Sequence, residues 1–295
     1  MKNRYILFVV FVSFVLLSAC NSCQNDKQKS THEETEAIRV KDTLNEVIYV
    51  LPSPNEMLAE IFIDEVKINP SFTNPYSNAN KYLDTRSRAV NLGVYIADFA
   101  YLSYSTETTI ELEYLQVIKR LSEEVNIYGL MENKTIERIQ NNLTQKDTLN
   151  KISQELYYKI SNNLENSNRE NIFTLISTGA IVESLYLSVM LVDDFEEFKG
   201  IIEKMYEQKF VFDNFYEYAQ VYADDPYVKL IIDQLDVLKQ TFDQLKKEEK
   251  EHKTVEEDGK IRFTGGTQFV VNNENFKQFK KNIISIRNEM ISPDN

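Results

Sequence analysis

The 295-residue chain has no tryptophan, two cysteines, two histidines, seven glycines and six prolines. Each scarcity excludes something. The cysteines are Cys20 and Cys23, so everything after them folds without a disulfide. Pairing those two would close a tiny loop of little entropic value. His32 lies in a polar stretch and His252 in the charged run KKEEKEHK, so zinc sites and His-based triads lack their parts. No metal or cofactor is expected. A Gly-rich phosphate loop is missing as well. Positive charge is also short: 33 Lys+Arg face 46 Asp+Glu, a formal net of −13. That is the wrong balance for binding phosphate backbones, which excludes nucleic acid as a partner. Few helix breakers beside 42% hydrophobic residues favour long helices.

What is present begins at the N-terminus. Lys2 and Arg4 precede the apolar run YILFVVFVSFVLL, residues 5–17. A bilayer-spanning helix needs about 20 apolar residues, so this shorter run with its basic flank fits a secretory signal. The next step, Leu17-Ser18-Ala19-Cys20, closely resembles the lipobox of bacterial lipoproteins. The resemblance implies cleavage before Cys20, a diacylglyceryl thioether on its sulfur, and an acyl chain such as palmitate on the new amine. Residues 1–19 then read as signal peptide and 20–46 as lipidated Cys20 plus a flexible tether. Residues 21–42 contain no aromatic and few aliphatic side chains, too little to offset ordering entropy. Such a coil reaches about 25 Å. Acyl burial contributes roughly 0.8 kcal/mol per CH₂. The lipid, rather than any basic patch, is therefore the expected membrane hold.

Residues 47–295 read as a single all-α domain, a multi-helix bundle of antiparallel helical hairpins. Ser53-Pro54-Asn55-Glu56 is a capping-box start, with Met57, Ile61 and Val66 at helical spacing. The stretch NPSFTNPYSNAN (69–80) reads as a loop. Helices are expected over about 82–104, 108–126, 134–144, 148–165, 169–192, 194–208, 212–222, 227–252 and 274–291. Asp147, Asp193 and Asp225 are expected caps, and the charged run 246–253 a solvated helix end. In GKIRFTGGTQFVV (259–271), Ile261, Phe263, Phe269 and Val271 alternate around Gly265-Gly266, the signature of a short C-terminal β-hairpin.

Two segments differ from the rest. VNLGVYIADFAYL (90–102) carries Asp98 as its only charge, and IFTLISTGAIVESLYLSVMLV (172–192) carries Glu183 alone. The second is long enough to span a membrane, but its Glu, hydroxyl side chains and Gly favour a buried bundle helix. Ala89, Gly93 and Ala97 recur every four residues and permit close approach of a neighbour. Each segment has a Gly, then a carboxylate, then Tyr-Leu-Ser, which suggests repeat halves 82–126 and 169–208 about a pseudo-twofold axis.

The run Asn91-Leu92-Gly93-Val94-Tyr95-Ile96-Ala97-Asp98, with Gly179 to Tyr186 behind it, resembles uncharacterised all-helical lipoproteins of Bacteroidota. That resemblance implies an all-α envelope protein and no specific activity. Thr43 and Thr148, in Asp-Thr-Leu, also match the O-glycosylation pattern of that phylum.

Asp98 and Glu183 have two readings. Each can simply accept hydrogen bonds inside the bundle, with Arg86, Arg88 and 17 tyrosines as donors. Alternatively both, with Tyr95, Tyr101 or Tyr186, form a shared site for a cationic or sugar-like ligand. The functional expectation is a lipid-anchored cell-envelope protein acting as a binding module for an envelope protein or small ligand, leaning away from enzymology. A glycan- or small-ligand-binding lipoprotein with a cleft between the two central helices is the alternative, and a hydrolase using paired carboxylates the second. The expected address is the outer membrane facing the periplasm, with surface display open. Mass spectrometry of membrane-isolated chain is expected to show a start at diacyl or triacyl Cys20. Cys20→Ser is expected to keep residues 1–19 and incorporate no labelled palmitate. An unmodified Met1 start would remove the anchor.

Overall fold

Ser53 and Glu56 open the first helix as their spacing predicts. The Ser53 N–H donates to Glu56 Oε2 at 2.6 Å, the Glu56 N–H donates to Ser53 Oγ at 3.3 Å, and Pro54 takes the first turn. A computed structural model describes residues 38–41, 48–62, 67–105, 108–130, 132–257 and 260–292. Cys20, Cys23, Thr43, Val66 and Gly259, and all of residues 1–37, lie outside the described residues. The described part is all-α with two small antiparallel ribbons. Its order is β1 (Ile38–Lys41), β2 (Ile48–Leu51), α1 (Pro54–Ile61), α2 (Thr85–Leu102), α3 (Thr108–Glu124), α4 (Asn133–Gln140) and α5 (Lys146–Glu165). It continues with α6 (Glu170–Met190), α7 (Lys199–Glu207), α8 (Lys209–Val221), α9 (Pro226–Asp243), β3 (Lys247–Glu257), β4 (Lys260–Phe269) and α10 (Asn273–Met290).

The centre is the pair α2 and α6, buried along almost their whole lengths. A Cβ on Gly93 would fall 1.8 Å from the Ile176 carbonyl oxygen, and one on Gly179 would fall 1.9 Å from that of Val90. Each glycine thus meets the carbonyl three residues before the other, a local twofold relation. Further along, Asp98 of α2 reaches Glu183 of α6, so the two helices run in the same direction. They are not a sequential hairpin. α6 is long and apolar enough to cross a membrane, but it is wholly enclosed by the protein.

Around this parallel pair the helices do form antiparallel hairpins. Tyr95 meets Tyr114 at 5.8 Å between rings, and Arg88 pairs with Glu124 at 3.0 Å, which sets α3 antiparallel to α2. The Tyr157 hydroxyl donates to Ser177 at 3.0 Å between α5 and α6. Phe212 packs on Phe242 between α8 and α9, and Gln234 and Thr241 of α9 bond Glu289 and Asn282 of α10. The suggested repeat reaches no further than the central helices: α3 has 17 residues and its counterpart α7 only 9.

Five expectations need correction. The tether assigned to 20–46 is interrupted, because Ile38–Lys41 pairs antiparallel with Ile48–Leu51. Its alternation of Ile38 and Val40 with polar neighbours is a strand pattern too short to stand out in a polar segment. At the other end α9 stops at Asp243, not 252, and the charged run is strand β3. That run has no apolar position for a helix to bury, whereas β4 supplies backbone partners along its length. Gly265-Gly266 is consequently inside β4, not the turn. Gly266, at φ 86°, lies opposite Lys250, where the register shifts between Lys250 and Lys253. Three steps along β3 match two along β4 there, so the extra residue of the bulge lies on β3, opposite the glycines. The expected cap Asp147 sits in the first turn of α5, behind Gln145, and Asp194 rather than Asp193 accepts the turn amides of Glu196 and Glu197. Asp225 does cap α9, accepting from Tyr227 and Val228.

Gly93→Ala and Gly179→Ala are each expected to lose about 3 kcal/mol or more in urea unfolding, since a backbone carbonyl must yield. Gly200→Ala, with nothing within 4 Å of its Cβ, is expected to gain about 0.5–1 kcal/mol. Wild-type stability in Gly93→Ala would contradict the close crossing.

Candidate functional site

The approach of α2 and α6 decides where the two lone carboxyls go. Residue 97 stands to Gly93 as 183 stands to Gly179, and it is alanine, so beside Glu183 the partner helix is narrow. Glu183 and Asp98 come within hydrogen-bonding reach of each other, both with no exposed surface. The cation between them is Arg287 of α10. Its Nε donates to Glu183 Oε2 at 2.9 Å and its Nη2 to Oε1 at 3.0 Å, a two-pronged charged pair. The guanidinium also lies over the Tyr186 ring, 4.2 Å from its centroid.

Arg287 was not among the donors expected from sequence. Arg88 instead bonds Glu124 and the Tyr82 carbonyl, and Arg86 lines an outer groove. The signal was weak: Arg287 follows Ile283 by four residues, the apolar spacing of α10's core face.

The loop 69–82 roofs the cluster. The Asn74 N–H donates to Asp98 Oδ2 at 3.1 Å, and Arg287 Nη2 reaches the Phe72 carbonyl at 3.4 Å. Tyr95 donates to the Pro75 carbonyl at 3.0 Å, and the Asn69 N–H donates to the Tyr101 hydroxyl at 2.9 Å. Of the five residues expected to share a site, Asp98, Glu183 and Tyr186 therefore meet around Arg287. Tyr95 and Tyr101 instead hold the roof. Burial raises the Tyr101 hydroxyl to about 12, so it stays a neutral hydrogen-bonding group. Thr148 lies half-buried in the first turn of α5, its hydroxyl 3.3 Å from Gln145 Oε1.

Burial, then the charge of Glu183, raises the Asp98 pKa well above that of an ordinary carboxyl, and Arg287 only partly opposes this. Burial disfavours the charged form of Arg287, but Glu183 and Asp98 outweigh it and hold the guanidinium protonated. The cluster is thus one anion, one cation and one carboxylic acid. Asp98 Oδ1 has no hydrogen-bond partner among the described residues, which fits a neutral carboxyl better than a charged one. A second buried carboxyl, Glu111 on α3, has no partner on either oxygen among the described residues, and burial alone raises it to about 7.

Chemically this is a sealed charge cluster. Neither carboxyl has any exposed surface. Open cavities lie elsewhere. One of about 520 Å³ runs between α9 and α10 beside Arg86, and another of about 270 Å³ lies between the 127–130 turn and α5. Asp98 and Glu183 line neither. Among the described residues no group of His, Cys, Asp and Glu is arranged to hold a metal. No family model, curated protein or solved structure matches the chain.

Asp98→Asn keeps the shape and the donor, and is expected to stay within about 1 kcal/mol of wild type at pH 7. Arg287→Ala strands Glu183 and is expected to lose about 3–5 kcal/mol. The native state holds protons on Asp98 and Glu111 that the unfolded chain has released. Stability from both is therefore present below pH 4 and lost as pH rises, for Glu111 between about 4.5 and 7. Urea unfolding from pH 4 to 8 should show this decline, flattened in Glu111→Gln. A rise in stability across that range would refute it.

Proposed function

We propose that this chain is a lipid-anchored protein of the bacterial cell envelope that works as a binding module, engaging a partner protein along the groove between α9 and α10. One observation carries the reading. Tyr227, Leu230 and Val237 are 46%, 48% and 48% exposed and, with Gln234, follow a three-four-three spacing down one face of α9. That is the seam a helix presents to another helix. It borders the larger groove, whose rim carries Arg86 and Asp233, a polar border around an apolar strip.

The LSAC sequence at residues 17–20 supports the address. The net charge of −13 supports the lipid as the membrane hold, since an anionic surface repels this body. The sealing of Asp98 and Glu183 supports a protein that acts through its exterior. The proposed address remains the outer membrane, facing the periplasm.

A photo-crosslinking amino acid at Val237 in the full lipidated chain is expected to give one discrete adduct in intact cell envelopes. Leu230→Glu should abolish it, and the same crosslinker at Lys277 should give none. Failure to form an adduct at Val237, or indifference to Leu230→Glu, would refute the groove as the binding face.

A further inference from the structure

The smaller cavity has the parts of a ligand site, although neither the core cluster nor the α9–α10 groove includes it. α3 ends in a turn fixed on several sides. The Ile127 N–H donates to the Ser122 carbonyl at 2.7 Å, and Arg169 donates to the Val125 and Asn126 carbonyls at 2.7 and 3.1 Å. Asn126 and Gly129 both adopt positive φ, 59° and 75°. Ile127 and Leu130 are buried at 1% and 3%, so the turn is anchored on both sides of Tyr128. Tyr128 itself is 66% exposed. Its hydroxyl donates to Asn126 Oδ1 at 2.8 Å, which sets the direction of the ring.

An aromatic ring held out in water by a rigid turn calls for an occupant. Beside it lies a space of about 270 Å³, bounded across from the turn by Lys159, Asn162 and Asn163 of α5. All three are exposed, and among the described residues their side chains make no ion pair or hydrogen bond. The site therefore offers one stacking face, two carboxamides that both donate and accept, and one cation on an otherwise acidic protein. Aromatic face and amides suit a pyranose, whose C–H face is apolar and whose rim is hydroxyls. The uncommitted ammonium selects a sugar that carries a carboxylate.

We propose that Tyr128, Lys159, Asn162 and Asn163 form a binding site for an acidic saccharide. One sugar ring stacks on Tyr128, its hydroxyls bond Asn162 and Asn163, and its carboxylate faces Lys159. The proposal is independent of the α9–α10 groove, and either can fail without the other.

The probes are galacturonate and methyl galactoside, added at millimolar concentration to the full lipidated chain in detergent micelles. Binding is followed by saturation-transfer NMR. Wild type is expected to transfer saturation to the galacturonate ring protons and to bind it more tightly than the neutral sugar. Tyr128→Ala is expected to weaken galacturonate about tenfold, the loss of one stacking contact. Lys159→Gln is expected to remove the preference for the acid and leave neutral binding unchanged. Phe210→Ala, at another exposed aromatic outside both faces, should change nothing. All three side chains are exposed, so matching thermal melts establish folding. No transfer in wild type, binding that survives Tyr128→Ala, or a preference untouched by Lys159→Gln would each overturn the proposal.

Discussion

The structure depends on the contact between the backbones of α2 and α6 at Gly93 and Gly179. With no side chain at either position, a carbonyl of each helix lies where the other's Cβ would stand. Helices that close in a parallel arrangement bring their next side chains into forced company. Five residues past Gly93 is Asp98, and four past Gly179 is Glu183. Two carboxyls placed there without water cannot both be charged. The cation on α10, the amide of Asn74 and the ring of Tyr186 follow from that difficulty.

Such a cluster is a poor source of net stability, since removing charge from water offsets most of what pairing returns. Its contribution is geometric. Sliding α2 one turn along α6 would part Asp98 from Glu183, and withdrawing α10 would leave Glu183 buried without a cation. Three elements far apart in the chain are thereby held in one register. The roofing loop 69–82 belongs to the same system, because its backbone bonds Asp98, Tyr95 and Tyr101 of α2.

A core committed in this way leaves recognition to the exterior. The seam on α9 and the turn around Tyr128 both expose apolar or aromatic surface on firm supports, one a helix packed on α6, α8 and α10 and the other a turn held by Arg169. The lipid anchor proposed for this chain would ask little more of the body than such faces, since it would supply the membrane hold and leave orientation free.

Much was legible before any coordinates. The all-helical body follows from apolar periodicity and few breakers. The first helix start follows from Ser53, Pro54 and Glu56, and the special standing of Asp98 and Glu183 from their isolation in apolar runs. Each of these is a property of neighbours in sequence. Less legible were the short strand at 38–41 and the strand identity of 247–257, because a strand depends on a partner that local pattern does not name. Least legible were the parallel pairing of α2 with α6, and Arg287 as the partner of a carboxylate 104 residues away. An arginine on a helix looks the same whether it meets solvent or an anion. Which one it meets is decided by how closely two other helices can approach, and that is a property of the packed chain.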